Sequence, residues 1–146
     1  MSIGANRLVV VVESLPELRD TTSGTLRREG FEVVAVNDYH AAVEVLGEGR
    51  TPSLVCVDLQ LPRESGFDLC EYIRGDSRLM WVPILVTSER TSPQDMAYAE
   101  DVGANAFLKM PFKSDSLVKY VTAVLDGPQA SRPSIRRLRR SVPPPA

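Results

Sequence analysis

The sequence predicts an α/β protein with a doubly wound, five-stranded parallel sheet, and three observations lead to this fold class. Apolar runs of strand length alternate five times with amphipathic segments of helix length, which is typical of βαβ units. Several of the runs are valine-rich and nearly continuous, as in strands that are buried on both faces. Residues that start or end helices, such as Ser92-Pro93 and Gly30, separate the segments.

The first half of the chain contains three predicted strands and two predicted helices. The strands cover residues 7–12, 31–36 and 53–57. A helix is predicted from Pro16 to Glu29 and ends before Gly30. One face of this helix is expected to hold Leu15, Leu18, Thr22 and Leu26. Asp38 is expected to cap a short helix over residues 39–46.

The second half contains three predicted helices and two predicted strands. A loop to Gly66 precedes a helix from Phe67 to Arg74, and strand four covers residues 82–86. Ser92 caps the fourth helix, which ends near Gly103, and a short fifth strand covers residues 106–108. Ser114 is expected to cap the last helix. Its apolar stripe consists of Leu117, Val118, Val121, Val124 and Leu125.

Length and composition limit the class of protein. The 146 residues suit one domain, and 43% hydrophobic with 25% charged residues is typical of a soluble globular protein. No stretch of about 18 apolar residues is present, and the N-terminal apolar run is too short for a signal peptide, so we expect a cytoplasmic protein. Cys56 and Cys70 lack metal-like spacing and are interpreted as small buried hydrophobic residues.

Charge divides the chain near Asp126. Residues 1–126 contain 12 basic and 19 acidic residues, a net charge of −7, whereas residues 127–146 contain five arginines and no acid. We therefore predict a domain over residues 1–126 and a basic, Pro- and Arg-rich, disordered tail over residues 127–146. The tail is interpreted first as solvated and second as a contact for an acidic protein surface. Nucleic-acid or membrane-surface binding is the weakest alternative, because the tail lacks aromatic residues and a fold motif.

Several polar residues fall at the predicted carboxyl ends of the strands, where open parallel sheets bind ligands. These are Glu13, Ser14, Asp58, Thr87 and either Lys109 or Met110. The turn after strand one lacks the glycines of a dinucleotide fingerprint or P-loop, and no zinc-ligand set is present. We therefore do not expect this protein to be a nucleotide-binding enzyme. His40, the single histidine, is expected to be solvated.

Asp58 is the strongest candidate for a functional residue. A carboxylate at the end of an apolar strand is costly without partners, and Glu13 should lie at the neighbouring strand end. Two such acids can hold Mg²⁺, and the metal-bound Asp58 could accept a phosphoryl group that the Thr87 hydroxyl contacts. The alternative is that Asp58 and Thr87 only cap loops by hydrogen bonding.

Three motifs in order resemble the receiver domain of two-component response regulators over about residues 7–125. They are DLQLPRESG at 58–66, LVTS at 85–88 and GANAFLKMPF at 103–112. The resemblance implies a flavodoxin-like sheet with strand order 2-1-3-4-5. It also implies that Asp58 accepts a phosphoryl group from a histidine kinase or phosphotransfer protein. Mg²⁺ would be held by Glu13, Asp58 and the backbone carbonyl of Gln60.

The resemblance further implies a switch and an output surface. Thr87 would contact the phosphoryl group, and Phe107 would be the aromatic residue that moves with it, the alternative being ordinary packing. A downstream protein would bind the face of helix four, strand five and helix five, with Tyr98, Phe107, Lys119 and Tyr120. The Met110–Pro111 bond is expected to be cis, and the protein a monomer or weak dimer.

Two positions depart from the family pattern. Ser14 stands where the family has its second acid, and Met110 stands where it has a lysine. Lys109 lies one residue early, so its side chain should point away from the site. With Glu13 and Asp58 but no lysine, the site has a net charge of −2, which equals that of the family's site. Arg63 or Arg90 could partly replace the positive charge of the missing lysine. We therefore expect weak or absent Mg²⁺ binding and slow or absent phosphorylation.

Three functional hypotheses follow from these observations. The first is a receiver in a phosphorelay that is switched by phosphorylation of Asp58 and acts through protein contact. The second is a pseudo-receiver that serves as an interaction or scaffold module without phosphate. The third is an inert domain whose tail binds nucleic acid or a membrane surface.

Overall fold

Five parallel strands form one sheet, and five helices cover its two faces. The computed structural model describes residues 3–127, so the predicted disorder of the tail lies outside the described residues. The strands are β1 (Leu8–Val12), β2 (Glu32–Val36), β3 (Leu54–Asp58), β4 (Ile84–Ser88) and β5 (Ala106–Lys109). The helices are α1 (Pro16–Arg28), α2 (Tyr39–Gly47), α3 (Gly66–Gly75), α4 (Pro93–Asp101) and α5 (Ser114–Asp126). The strand order β2-β1-β3-β4-β5 confirms the predicted topology.

The core has two layers because successive strand side chains point to opposite faces of the sheet. Val10 and Val12 of β1 pack in the layer under α2, α3 and α4, whereas Val9 and Val11 pack under α1 and α5. Both layers contain fully buried branched residues. This burial on both faces is the reason that the strands appear in the sequence as continuous apolar runs.

Helix capping follows the sequence at two positions and departs from it at a third. Asp38 accepts a hydrogen bond from the Ala41 backbone N–H at 2.8 Å, and Ser92 accepts one from Asp95, as predicted. The prediction that Ser114 caps α5 is wrong. Ser114 is the first residue of the helix, and its Oγ lies 3.2 Å from Thr25 Oγ1 of α1. This hydroxyl therefore links two neighbouring helices.

Two further expectations about individual segments are wrong for physical reasons. Leu15 does not join the buried face of α1; it precedes the helix and is 56% exposed. Strand β4 begins at Ile84 and extends to Ser88, because Pro83 has no N–H for the ladder and Val82 closes a turn onto the Leu79 carbonyl. The two-residue shift places Thr87 inside the strand.

A buried arginine fastens α3 to the loop before β5. The Arg74 guanidinium donates two hydrogen bonds to the Gly103 carbonyl, at 3.1 and 2.8 Å. It also donates to the carbonyls of Met80 and Val82 and to Asn105 Oδ1. Asn105 Oδ1 in turn accepts from the Ile84 backbone N–H at 2.8 Å. One side chain therefore joins three segments at the edge of the sheet where the strands begin.

None of the helices within residues 3–127 combines the length and the apolar character needed to cross a bilayer.

Candidate functional site

Strand register brings Glu13 and Asp58 together. Val12 pairs with Val57 between β1 and β3, so the next residues of the two strands are neighbours. Glu13 continues the ladder by donating its backbone N–H to the Val36 carbonyl at 3.0 Å. Their side chains are only 4% and 3% exposed, and the two carboxyl groups share a hydrogen bond. The predicted meeting of the two acids is therefore present.

Burial controls the protonation of this pair. Loss of solvation raises the pKa of Glu13 to about 7, the Leu15 N–H opposes this shift, and the adjacent Asp58 adds to it. Burial also raises the pKa of Asp58, whereas the Gln60 N–H and the bond from Glu13 oppose the rise. Burial thus favours a bound proton on this carboxyl pair more than on exposed carboxylates. The sequence-based net charge of −2 assumed two ionised carboxylates, but one proton is shared below about pH 7.

Backbone groups fix both carboxylates in place. Leu15 N–H donates to Glu13 Oε2 at 3.1 Å, and Gln60 N–H donates to Asp58 Oδ1 at 2.8 Å. A Cβ on Gly66 would lie 2.4 Å from the Asp58 backbone carbonyl oxygen, so only glycine fits there. This close approach explains the fixed spacing between Asp58 and Gly66 in physical terms.

Thr87 and Phe107 lie on the strands next to Asp58. Thr87 is the register partner of Asp58 across β3 and β4, and its carbonyl accepts the Leu59 N–H at 3.0 Å. Phe107 pairs with Val86, is half-buried and packs on the layer under α2, α3 and α4. The threonine therefore lies beside the carboxylate, and the aromatic ring lies one strand farther along the sheet.

The lysine position of the motif is occupied by an apolar side chain. Met110 is buried, and its backbone N–H donates to the Ser88 carbonyl at 2.8 Å. Lys109 pairs with Ser88 in the ladder and its side chain is exposed. The Met110–Pro111 bond is cis, as expected. None of the effects that shift the pKa of Glu13 or Asp58 comes from a lysine or arginine among residues 3–127.

Comparison with known proteins gives the family. Residues 9–122 match the family model described as the response regulator receiver domain. The chain belongs to the response-regulator receiver family. It is 35% identical over 117 residues to the DNA-binding response regulator MtrA of Mycolicibacterium smegmatis, and 32% identical to the sensory transduction protein RegX3 of Mycobacterium tuberculosis. These matches cover 80% of this chain and 50% of each relative, so the chain spans about half their length.

Solved receiver structures agree with the fold. The chemotaxis response regulator CheY4 of Vibrio cholerae superposes with a TM-score of 0.77 at 28% identity, covering 81% of this chain and 98% of that one. The receiver domain of a signal transduction histidine kinase from Syntrophus aciditrophicus gives 0.76 at 25% identity, covering 84% and 92%. The protein is therefore a receiver domain of two-component signalling, a class of domain that interacts with histidine kinases.

The two arginines suggested as substitutes for the missing lysine, Arg63 and Arg90, are both exposed. Arg90 forms an ion pair with Asp95 at 3.0 Å, and Arg63 is an exposed loop residue with a φ of 65°. Arg19 was not predicted as a site residue, but its guanidinium donates to the backbone carbonyls of Glu13 and Ser14 at 3.0 and 3.4 Å. The sequence feature that could have identified Arg19 is its position one turn into α1, the helix that follows Glu13.

The donor set fits a divalent cation bound through two carboxylates. Receiver domains generally bind Mg²⁺ at the phosphorylation site, and Mg²⁺ is often held by one or two carboxylates with several waters. Glu13 and Asp58 supply such oxygens. Residues 3–127 contain no group of three or more His, Cys, Asp and Glu side chains arranged for a metal. Ser14, a half-buried serine at the position of the family's second acid, therefore leaves Glu13 and Asp58 as the two candidate acidic ligands.

The cysteine next to the site is not a reactive group. Cys56 lies on β3 two residues before Asp58, is buried, and has its pKa raised to about 12 by burial and by the two nearby acids. Cys70 on α3 is likewise buried, and its pKa is raised to about 12. Thiols in such surroundings stay protonated, which agrees with their interpretation as small core residues.

Proposed function

We propose that Asp58 accepts a phosphoryl group from the phosphohistidine of a histidine kinase or phosphotransfer protein, and that the domain responds through protein contact. The observation that carries the proposal is the pairing of Asp58 with Thr87 at the carboxyl ends of β3 and β4. Both side chains are buried at the rim of the sheet, where a hydroxyl can meet an oxygen attached to the carboxylate. Membership of the receiver family supports the same role.

The transfer is a displacement at phosphorus. An oxygen of ionised Asp58 attacks the phosphorus atom, an O–P bond forms, and the P–N bond to the donor histidine breaks. The imidazole nitrogen leaves with the electron pair and takes up a proton. The Gln60 N–H, which holds Asp58 Oδ1, fixes the carboxylate plane during the attack. Thr87 then donates its hydroxyl to a phosphoryl oxygen.

Mg²⁺ held by Glu13, Asp58 and the Gln60 backbone carbonyl would offset the charge of the phosphoryl oxygens. Glu13 must first release the proton that it shares with Asp58, because a ligating carboxylate is deprotonated. With Ser14 in place of an acid and Met110 in place of lysine, we expect weak metal binding and slow phosphorylation.

The proposed output surface is the face of α4, β5 and α5. Tyr98 and Tyr120 are 42% and 37% exposed, and Lys119 is exposed beside Tyr120. Half-buried Phe107 lies behind this face, on the strand next to Thr87. A movement of Thr87 toward a phosphoryl group opens space for the Phe107 ring, which changes the surface that a partner protein contacts.

A small phosphodonor tests the proposal without knowledge of the kinase. Incubation with acetyl phosphate and Mg²⁺ is expected to add one phosphoryl group slowly, as measured by intact mass. Asp58→Asn should add none, whereas the exposed-site control Asp115→Asn should match the wild type. An unmodified wild-type protein, or equal incorporation in Asp58→Asn, would contradict the proposal.

A phosphorylation-independent pseudo-receiver is the second candidate, and buried Met110 favours it. A phosphoryl group on Asp58 would lack the charge-assisted partner that a lysine supplies, which is worth about 1.5–3 kcal/mol. The two candidates differ in their partner binding. Equal recovery of a partner by wild type, Asp58→Ala and Asp58→Glu supports the pseudo-receiver, whereas a difference between Asp58→Glu and Asp58→Ala supports the phosphorylation switch.

A further inference from the structure

One arginine of α1 holds the backbone that leads from β1 into that helix. Arg19 Nη1 donates to the Glu13 carbonyl at 3.0 Å and lies 3.4 Å from the Ser14 carbonyl oxygen, to which it also donates. The Arg19 backbone N–H donates to the next carbonyl, that of Leu15, at 2.9 Å. Three consecutive carbonyls, which belong to the β1–α1 loop of residues 13–15, therefore accept hydrogen bonds from one residue.

The N–H groups of the same loop bind the Glu13 carboxyl group. In a planar trans peptide the C=O and the N–H point in opposite directions, so a carbonyl that is fixed on Arg19 also fixes the N–H of the following residue. Leu15 N–H donates to Glu13 Oε2 at 3.1 Å, and Ser14 N–H also bonds to this carboxyl group. Arg19 therefore acts on the Glu13 side chain through two peptide planes.

The start of α1 lacks the side-chain cap that commonly anchors such a turn. A Ser, Thr, Asp or Asn at the N-cap usually accepts a backbone N–H of the first helical turn. Leu15 occupies this position, is 56% exposed and makes no side-chain cap. The Arg19 guanidinium, one turn into the helix, instead anchors the loop by its carbonyls.

We propose that Arg19 is a positioning residue of the metal site, which orients the Glu13 carboxylate for a divalent cation without contacting the cation. The inference rests on the Mg²⁺ site of the proposed function. Because Ser14 leaves Glu13 and Asp58 as the two candidate acidic ligands, the orientation of Glu13 governs half of that set. Loss of a group that orients a metal ligand typically lowers metal affinity by about 10–100-fold.

The sign of the effect separates positioning from simple charge. A guanidinium near the site repels a divalent cation, so its removal would strengthen Mg²⁺ binding if Arg19 acted through charge alone. Loss of positioning has the opposite effect, because the Ser14 and Leu15 N–H groups would no longer hold the Glu13 carboxyl group in one orientation. Weaker Mg²⁺ binding after removal of a positive charge is therefore specific to the positioning role.

A Mg²⁺ titration of the full chain, followed by the backbone amide shifts of Leu15 and Gln60, tests the proposal. Arg19→Met keeps the aliphatic part of the side chain and removes its donors, and the Mg²⁺ concentration at half-saturation is expected to rise about tenfold. Arg19→Lys keeps a cation that can donate to a carbonyl and should recover part of this loss. Without metal, hydrogen exchange of the Leu15 amide should be faster in Arg19→Met than in the wild type.

Arg27→Met is the matched control, because Arg27 lies on the same helix and donates to the Val33 carbonyl of β2 at 3.2 Å. Both variants lose one positive charge and a bond to a backbone carbonyl, but only Arg19→Met should lose Mg²⁺ affinity. An equal loss in the two variants, or unchanged or tighter Mg²⁺ binding in Arg19→Met, would overturn the role of Arg19 alone. A wild type that does not respond to Mg²⁺ would overturn this inference together with the proposed metal site.

Discussion

The buried hydrogen bond between Glu13 and Asp58 makes the site of this receiver domain a proton-sharing carboxyl pair. Desolvation of Glu13 is the larger effect and the nearby charge of Asp58 is the smaller one. The pair has no lysine to stabilise two negative charges, because Met110 occupies that position. The protonation state of Glu13 and the replacement of a lysine by Met110 are therefore the two features that set the chemistry of Asp58.

Glu13→Gln should change how stability depends on pH. With a folded-state pKa of about 7 against an ordinary value of 4.5, the folded protein holds a proton that the unfolded chain has lost. The unfolding free energy of the wild type should therefore fall, relative to the variant, as pH rises from about 4.5 to 7. The expected change is about 2–3 kcal/mol, measured by urea denaturation.

The control for this experiment is Glu44→Gln, which removes an exposed acid on α2. Its stability difference from the wild type should be nearly independent of pH over the same range. A Glu13→Gln profile parallel to the wild type would show that Glu13 titrates normally in the folded protein.

Met110→Lys should strengthen binding of a phosphoryl analogue. A lysine at this position adds a charge-assisted partner worth about 1.5–3 kcal/mol, so beryllofluoride affinity in Mg²⁺ should rise about tenfold or more. Lys109→Met, one residue earlier on the exposed side of β5, should leave that affinity unchanged. Loss of affinity in Lys109→Met would mean that the exposed lysine reaches the site.

The buried side chain of Arg74 holds neighbouring loops together by donating hydrogen bonds to their backbone carbonyls. Its donors satisfy the carbonyls of Met80, Val82 and Gly103, which lie in the loops that begin β4 and β5. Gly103 has a φ of 105°, and a Cβ there would lie 2.6 Å from the Arg74 side chain. The loop before β5 and the end of α3 therefore depend on each other.

Replacement of Arg74 should destabilise the fold much more than replacement of a surface arginine. Arg74→Met leaves buried carbonyls without donors and should lower the unfolding free energy by about 3 kcal/mol. The unfolding free energy of Arg74→Lys should lie between those of the wild type and Arg74→Met. Arg50, in an exposed ion pair with Glu32, serves as the control. Arg50→Met should cost less than about 1 kcal/mol in urea denaturation.

Element boundaries were predictable where one residue acts locally. Asp38 and Ser92 cap their helices as the sequence indicated, because each cap is a contact between residues three apart. Ser114 could not be assigned in this way, because its hydroxyl lies against Thr25 on a distant helix. The burial of Arg74 could not be predicted from the sequence either, since a charged residue at a helix end normally faces solvent.

The alternation of parallel strands and helices followed from periodicity, because strands buried on both faces leave continuous apolar runs, whereas the strand order followed from the resemblance to receiver domains. The meeting of Glu13, Asp58 and Thr87 followed in turn, since parallel strands end at one edge. The shared proton and the contacts of Arg19 did not follow, because both depend on side-chain distances that strand register alone does not specify.

The most direct measurement of the central claim is a beryllofluoride titration in Mg²⁺, followed by the backbone amide shifts of Thr87 and Phe107. Saturable shifts are expected at both residues in the wild type, and none in Asp58→Asn. Unchanged spectra of the wild type at saturating beryllofluoride and Mg²⁺, or the same shifts in Asp58→Asn, would contradict the claim that Asp58 receives the phosphoryl group.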